Sequence, residues 1–215
     1  MTKKLFWEDP YQTECKAKVT SIDGNIVKFD QTIFFAFSGG QESDDGTING
    51  IKVVNAVKLG DKENIIDIEY ELESKPDFKV GDEVTVKIDG EKRLKLMKLH
   101  TVTHLAYYFV TEKYGKLKVI GSNISTEKGR FDCATDIHFE LEDVEEKLNK
   151  FLAEGHSIIR TQDEKSPDLR WWLCENYKMP CGGTHVRNTK EIGKVKLKRK
   201  TKGSGKERVE IYLNP

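Results

Sequence analysis

At residues 91–115 the chain reads EKRLKLMKLHTVTHLAYYFVTEKYG. Apolar residues recur at helical spacing through this stretch, and Gly115 is a typical residue for the end of a helix. His100 and His104 lie four residues apart, so one face of the predicted helix presents both imidazoles. Such a pair can bind one metal ion, although in isolation it more often marks a chance surface pair.

A second motif, PCGGTH, occupies residues 180–185. Pro180 fixes the entry, and the two glycines let the chain fold back, so the Cys181 thiolate and the His185 imidazole can converge on one point. A tight turn beside a buried thiol is the alternative. With His100 and His104, the motif supplies one sulfur and three nitrogens, which is a suitable tetrahedral set for one zinc ion.

The size of this ligand set bears on the kind of zinc site. Four protein ligands usually close a structural site, whereas a catalytic zinc keeps one position open. The ligand set by itself therefore favours a structural metal. Catalysis would require a weakly bound ligand, a fifth coordination position, or a zinc ion that only orients the substrate.

The first ninety residues read as short strands. The segments NIVKFD, TIFFAF, INGIKVVNAVKL, NIIDIEYELE and DEVTVKIDG are rich in Val, Ile and Phe, and turn residues separate them. This spacing predicts a small antiparallel barrel. One loop, SGGQESDDG at residues 38–46, has two adjacent glycines that permit close approach to a partner, with a polar hairpin loop as the alternative.

The remainder of the chain mixes helix and strand. ELEDVEEKLNKFLAEG predicts a second amphipathic helix, and KVKLKR with RVEIYL predicts a β-hairpin. We therefore predict an α+β protein. A small antiparallel β-barrel domain at residues 1–90 precedes an α+β zinc-binding domain at residues 91–215, which has an antiparallel sheet and two long helices.

Composition indicates where the protein works and the state of its cysteines. The 215 residues include 36 basic and 36 acidic side chains and four cysteines. No stretch reaches the ~18 consecutive apolar residues of a membrane span, and the start MTKKLFWEDPYQTE lacks the apolar core of a signal peptide. We expect a cytoplasmic protein without a membrane partner, whose cysteines are thiols or metal ligands.

Positive charge is concentrated near the C-terminus. Residues 187–208 contain ten basic and two acidic side chains. A solvated charged face is one interpretation, and contact with RNA phosphates is the other. The candidates for RNA contact are Lys196, Lys198, Arg199, Lys200 and Lys202.

Four motifs in order, HTVTH, GSNISTEKGRFD, CGGTHVRNTKEIG and KGSGKERVEI, resemble the editing domain of alanyl-tRNA synthetase. They are most similar to its free-standing relatives, the AlaX-type alanyl-tRNA editing proteins, and SGGQESDDG resembles the glycine-rich motif of the medium-length members. The resemblance runs from about residue 34 onward. It implies that His100, His104, Cys181 and His185 bind one zinc ion. It also implies hydrolysis, in trans, of mischarged tRNA(Ala) carrying chiefly serine, and for some members glycine.

Within this resemblance, several polar residues are candidates for the site. Recognition of the serine hydroxyl would fall to Asn123, Ser125 and Thr126, for which turn capping is the alternative. Thr126 and Asp132 are the candidate catalytic residues. Asp132 could orient a ligand histidine or a water, and its alternative is an ion pair with Arg130. On the SGGQ loop, the candidate substrate-binding residues are Gly39, Gly40 and Gln41.

Two other functions compete with editing. One is a non-catalytic RNA-binding module with a structural zinc. The other is a zinc hydrolase for a small ester or amide, which is disfavoured because no HExxH motif supplies a glutamate base and the basic hairpin would stay unexplained. The sequence leaves open the preference between serine and glycine, the role of zinc, and the choice between a monomer and a weak dimer.

Overall fold

The structure is a computed structural model that describes residues 1–60, 65–166, 168–201, 203 and 205–214. It confirms the α+β class, because two α-helices are combined with antiparallel sheets. Among the described residues, no helix has the length and apolar character needed to cross a membrane.

The first half of the chain forms eight strands. They are β1 (Lys3–Lys4), β2 (Glu14–Asp23), β3 (Ile26–Phe29), β4 (Gln31–Thr32), β5 (Gly46–Ile48), β6 (Ile51–Gly60), β7 (Ile65–Leu72) and β8 (Glu83–Ile88). Six of them close into a barrel in the order β2-β3-β7-β6-β5-β8. The short strands β1 and β4 pair in parallel outside it, and a 3₁₀ turn (Leu5–Trp7) follows β1.

Alternation along the strands fills the barrel. In β2, Cys15, Ala17 and Val19 are buried while their neighbours are exposed, and β8 buries Val84 and Val86 in the same way. Successive side chains of a strand point to opposite faces, so each strand contributes one apolar row to the interior. These rows belong to one apolar cluster drawn from residues between 5 and 88.

The prediction of a strand at TIFFAF is wrong. Strand β4 ends at Thr32, and the next residues are buried but irregular. Two backbone amides of this run donate their hydrogen bonds to side chains and not to a neighbouring strand. The Asp44 carboxylate accepts a hydrogen bond from the Phe35 amide at 2.7 Å, and the Ser43 hydroxyl accepts one from the Phe37 amide at 2.7 Å. The apolar run therefore packs into the core as a loop that leads into SGGQ.

The second half of the chain contains two helices, α1 (Gly90–Tyr114) and α2 (Glu142–Glu154), and a 3₁₀ turn (Thr189–Glu191). Seven strands complete it: β9 (Lys118–Ile124), β10 (Gly129–Ala134), β11 (Ile159–Gln162), β12 (Arg170–Cys174), β13 (Tyr177–Pro180), β14 (Val195–Thr201) and β15 (Lys206–Leu213). The predicted helix at residues 91–115 is confirmed. The Asp89 carboxylate accepts from the amides of Glu91 and Lys92 at its start.

The strands of this half form two antiparallel sheets. One has the order β14-β15-β10-β9, and the other has the order β11-β12-β13. The predicted hairpin is confirmed as β14 and β15, which pair from Val195 with Leu213 to Thr201 with Glu207. The three-stranded sheet was not predicted, and it matters for the site because β13 leads directly into Cys181.

Each half of the chain has its own apolar cluster. The barrel cluster draws on residues 5 to 88, and a second cluster draws on residues 97 to 211, including Cys133 and Cys174. On this basis we propose a domain boundary near residue 90.

A buried ion pair joins the two halves. Arg93, in the first turn of α1, is 1 % exposed at its side chain, and Asp44, after the SGGQ loop, is 0 % exposed. The Arg93 guanidinium donates to both carboxylate oxygens of Asp44 and to the carbonyl oxygens of Pro10 and Ile33. The start of α1 is thereby fixed to the loop that leads out of SGGQ.

We expect Arg93→Met to lower the free energy of unfolding by about 3–5 kcal/mol. Removing one partner leaves the Asp44 carboxylate buried without a counter-charge, and losses of that order are typical of such buried pairs. Chemical denaturation measures the change.

Lys92→Met is the matched control. Lys92 pairs with Asp45 at 2.8 Å, but the Asp45 side chain is 67 % exposed. Loss of such an exposed pair should cost no more than about 1 kcal/mol. Equal losses in the two variants would contradict the assigned role of Arg93.

Candidate metal centre

Three histidines and one cysteine meet between α1 and the loop after β13. His100 and His104 come from the middle of α1, while Cys181 and His185 come from the CGGTH loop. Their ligand atoms all lie within 4.8 Å of one another, so the group could hold a metal ion. The i, i+4 spacing places both helix imidazoles on the face that meets this loop.

The ring Nε2 atoms converge on the thiol. Cys181 Sγ lies 3.2 Å from His185 Nε2 and 3.5 Å from His100 Nε2. The His104 ring packs edge-on against His100, with ring centroids 4.7 Å apart, and against Trp172, with centroids 4.9 Å apart. The four side chains therefore surround one point without further rearrangement of the backbone.

Gln41 fixes the orientation of His100. Its side-chain oxygen Oε1 lies 2.7 Å from His100 Nδ1 and accepts the Thr184 amide at 3.0 Å, while its Nε2 donates to the Thr184 hydroxyl at 2.9 Å. A backbone amide can only donate, so these contacts place the oxygen toward His100. His100 then carries its proton on Nδ1 and directs the Nε2 lone pair into the cluster.

The other two rings are held differently. His185 Nδ1 lies 3.1 Å from the Thr101 hydroxyl, which also accepts the Val186 amide at 3.3 Å. Among the described residues, buried His104 Nδ1 has no hydrogen-bond partner. Packing against Trp172 and His100 therefore orients the His104 ring.

Burial sets the protonation of the cluster. It lowers the pKa of His100 to about 3 and moves the pKa values of His104 and His185 well below their usual range. Burial also raises the pKa of the Cys181 thiol to about 11, against the opposing influence of the Gly183 amide. At neutral pH without metal, the imidazoles are neutral and ready to ligate, and only the thiol must lose a proton.

Gly183 is required by close packing. A Cβ at this position would lie 2.6 Å from His100 Nδ1 and 2.7 Å from Gln41 Oε1. Both distances are shorter than a carbon atom tolerates. The glycine pair of CGGTH thus lets the backbone pass directly beside the Gln41–His100 hydrogen bond.

The SGGQ loop reaches this centre along the edge of β9. The Ile124 amide donates to the Gly40 carbonyl at 2.7 Å, and the Glu42 amide donates to the Ile124 carbonyl at 3.0 Å. Gly40 has φ +90°, and a Cβ there would lie 2.7 Å from the Ser122 carbonyl oxygen. Gly39 lines the cavity beside the histidines, whereas Gln41 is buried and contacts His100.

A cavity of about 310 Å³ opens beside His100 and His104. The hydroxyl-bearing residues of its wall are Thr103, Ser122 and Tyr107, and the Tyr107 hydroxyl donates to the Leu117 carbonyl at 3.4 Å. Most of the remaining wall is apolar: Val119, Ile124, Phe131, Met179 and Pro180. Neither Thr103 nor Ser122 was predicted from the sequence as a site residue. Alternation along β9 carries the signal for Ser122, because it places Ser122 and Ile124 on one side of the strand.

The predicted hydroxyl-recognition residues lie elsewhere. Ser125 bonds to the backbone of Lys128 in the turn between β9 and β10, and exposed Thr126 lies in the same turn. Asn123 Nδ2 donates to the Gly40 carbonyl at 3.4 Å. Ser125 therefore caps the turn, and Asn123 attaches the SGGQ loop to β9. None of the three residues lines the cavity.

Asp132 is also placed away from the histidines. Its carboxylate accepts from Arg130 at 2.8 Å and from Arg208 at 2.6 and 2.8 Å. Burial alone would raise the pKa of Asp132, but the hydrogen bonds and charges of Arg208 and Arg130 outweigh burial and lower it. Asp132 thus makes the ion pair with Arg130 that was its alternative interpretation, whereas Gln41 and Thr101 contact the His100 and His185 rings.

The basic strand β14 is exposed along one row. Lys196 pairs with Glu145 at 3.0 Å, Lys198 lies over the Tyr212 ring at 5.0 Å, and Lys200 pairs with Glu210 at 3.2 Å. Half-buried Arg199 bonds to Glu207 on the other side of the strand. Lys202 lies outside the described residues.

Fold and site together define an α+β protein in which the SGGQ loop contacts a cluster of three histidines and one cysteine that could hold a metal ion. Residues 174–210 match the family model described as the second additional domain of threonyl and alanyl tRNA synthetases. Residues 5–92 match the model for class II (A) tRNA synthetases.

Relatives identify the family. The chain is 40 % identical to the alanyl-tRNA editing protein AlaX-M of Pyrococcus horikoshii, over 99 % of this chain and 98 % of that protein. It is 34 % identical to the alanine–tRNA ligase of Methanococcus maripaludis strain C7 and 32 % identical to that of Sulfurisphaera tokodaii, but spans only 26 % and 24 % of those ligases. The chain belongs to the AlaX family of alanyl-tRNA editing proteins.

We expect Gly183→Ala to weaken binding of a divalent metal ion strongly, because the added carbon displaces His100 and Gln41. Overpacking of this kind typically costs about 1–3 kcal/mol. Calorimetric titration with Zn²⁺ measures the affinity, and thermal unfolding measures the loss of stability.

The neighbouring glycine provides the control. A Cβ at Gly182 would lie 3.8 Å from the Trp7 ring, which is ordinary contact. Gly182→Ala should therefore bind the metal as the unchanged protein does. Similar losses in both variants would show that loop flexibility, and not the approach to His100, explains the glycine pair.

Proposed function

We propose that this chain is a zinc-dependent trans-editing hydrolase that removes serine, and secondarily glycine, from mischarged tRNA(Ala). Membership of the alanyl-tRNA editing family supports the reaction class. The single observation that carries the proposal is the His₃Cys cluster beside a small cavity with the Thr103 and Ser122 side chains on its wall. The metal and the substrate would meet where those two features adjoin.

The donor set fits zinc. With bonds of about 2.0–2.3 Å, a tetrahedral zinc ion holds its ligand atoms roughly 3.3–3.8 Å apart. The separations of Cys181 Sγ from His185 Nε2 and His100 Nε2, at 3.2 and 3.5 Å, are close to that spacing. One thiolate and three imidazoles also match the preference of zinc for sulfur and nitrogen ligands. We therefore assign His100, His104, Cys181 and His185 as the ligands of one zinc ion.

The number of ligands favours orientation of the substrate over formation of hydroxide. Bound zinc would supply a Lewis acid beside the cavity. Four protein ligands close a tetrahedral site, so the chain's own groups carry the recognition of the substrate. The ester bond of an aminoacyl-tRNA is already activated, so positioning it toward water supplies much of the help that hydrolysis needs.

Recognition of serine falls to Thr103 and Ser122. The Thr103 hydroxyl donates to the Leu99 carbonyl at 2.6 Å, so its remaining lone pair can accept a hydrogen bond from the serine side chain. Ser122 faces the same cavity from β9. Alanine lacks the hydroxyl and gains no hydrogen bond from these two side chains, so the correct ester is held less well than the seryl ester.

The tRNA partner is proposed to contact the exposed row of β14. Lys196, Lys198 and Lys200 alternate with inward-facing residues and lie on one side of the strand. Their ammonium groups are exposed, with Lys196 and Lys200 paired to glutamates and Lys198 over the Tyr212 ring, and they can exchange these contacts for RNA phosphates. Arg199, which is bonded to Glu207, is a weaker candidate for that contact.

The deciding experiment is deacylation of seryl-tRNA(Ala) and alanyl-tRNA(Ala) by zinc-loaded protein. We expect the seryl ester to be hydrolysed and the alanyl ester to be spared. Thr103→Val removes one hydroxyl at nearly constant shape and should lower kcat/KM for the seryl ester about two- to tenfold, the value of one hydrogen bond.

Thr111→Val is the matched control, because Thr111 lies on the same helix and its hydroxyl bonds to the Tyr108 carbonyl. That variant should keep full activity. If the zinc-loaded protein leaves seryl-tRNA(Ala) intact at micromolar concentration, the editing proposal fails. A non-catalytic RNA-binding module with a structural zinc is then the function that remains.

A further inference from the structure

A second cavity, of about 370 Å³, adjoins the metal cluster. Its wall is formed by Lys3, Lys4, Trp7, Glu8, Arg160, Thr161, Gln162, Asp168, Arg170, Cys181 and Gly183. Cys181 is a cluster member, and Gly183 packs against His100. A wider depression that includes His100, His104 and Lys58 shares Arg170 and Cys181 with this cavity, so the two spaces adjoin.

Several of the described side chains that line these spaces are cationic. Lys3 pairs with Glu8 at 3.0 Å, and Lys4 pairs with Asp168 at 3.3 Å. Lys58, Arg160 and Arg170 also line the two spaces. The chain as a whole has no net charge, so this concentration is local.

These cations are held in place. The Arg170 guanidinium lies 4.2 Å from the centre of the Trp7 ring, and Trp7 Nε1 donates to the Gly182 carbonyl at 2.8 Å. Arg160 donates to the Phe6 carbonyl at 3.3 Å. Burial lowers the pKa of Lys58 to about 8, so its charge is partly desolvated. Cations gathered and desolvated in this way are stabilised by an anionic ligand.

We propose that this cavity binds the phosphate 5′ to the esterified ribose at the 3′ end of the tRNA, through Arg160, Arg170 and Lys58. The assignment rests on the proposed function. The ester and this phosphate belong to one nucleotide, so a site for the phosphate must lie within one sugar of the site for the ester. The cavity meets that requirement because Cys181 borders both spaces.

The chemistry suits a phosphodiester. Guanidinium groups donate in a planar fork that matches phosphate oxygens, and a lysine adds a point charge. Contacts of this kind fix the register of a nucleic acid without reading its sequence. Here they would hold the terminal nucleotide so that the aminoacyl group enters the cavity beside His100 and His104.

Two small substrates test the assignment: the seryl ester of adenosine and the seryl ester of adenosine 5′-monophosphate. We expect the protein to prefer the phosphorylated ester by about tenfold or more in kcat/KM, the value of a charged hydrogen bond. Arg160→Gln and Lys58→Gln should each reduce that preference and leave the unphosphorylated ester unaffected. Arg160→Lys should restore part of it, because it keeps the charge.

Lys147→Gln, on the exposed side of α2, is the control and should keep the full preference. Equal losses on both esters, or no preference in the unchanged protein, would overturn the assignment.

A binding measurement separates this assignment from the proposed function. Fluorescence anisotropy with an uncharged CCA trinucleotide should show about tenfold weaker binding to Arg160→Gln at unchanged zinc content. Equal binding by the unchanged protein and this variant would overturn the assignment. Intact seryl-tRNA(Ala), by contrast, would overturn the editing function.

Discussion

The hydrogen bond between Gln41 and His100 joins the two halves of the chain at the metal centre. Gln41 belongs to a barrel loop and is fully buried, while His100 lies in the middle of α1. A metal-binding imidazole needs its other nitrogen fixed, and this amide oxygen does so from the other half of the chain. Three features support this one contact: the Asp44–Arg93 ion pair, the attachment of the SGGQ loop to β9, and the absence of a side chain at Gly183.

That dependence gives the barrel a function beyond folding. The cluster residues all lie between residues 100 and 185, yet Gln41, which orients His100, lies far earlier in the chain. A fragment holding the whole cluster would lack the partner of His100 and the glycine that lines the cavity beside the histidines. The cationic cavity is likewise built from both halves of the chain. Lys58 and Trp7 come from the first half, and Arg160 and Arg170 come from the second.

Sequence patterns predicted what depends on local spacing. The helix through His100 and His104, the final hairpin and the α+β class follow from periodicity, and the cluster of three histidines and one cysteine that could hold a metal follows from residue type and motif. Contacts between segments that are distant in sequence could not be predicted from local spacing. Nothing near Gln41 in sequence indicates that its amide faces a histidine 59 residues later. The apolar run after Thr32 is not a strand, because the Phe35 and Phe37 amides donate to the side chains of Asp44 and Ser43.

Zinc affinity of the Gln41→Leu variant, measured by competition with a chelator, tests the central claim most directly. Loss of such an outer partner typically weakens metal binding 10–100-fold. We predict a loss in that range for Gln41→Leu and none for Gln12→Leu, whose exposed amide bonds only to the Glu14 carbonyl. Unchanged zinc affinity in Gln41→Leu would contradict the account, since the barrel loop would then not govern the metal centre.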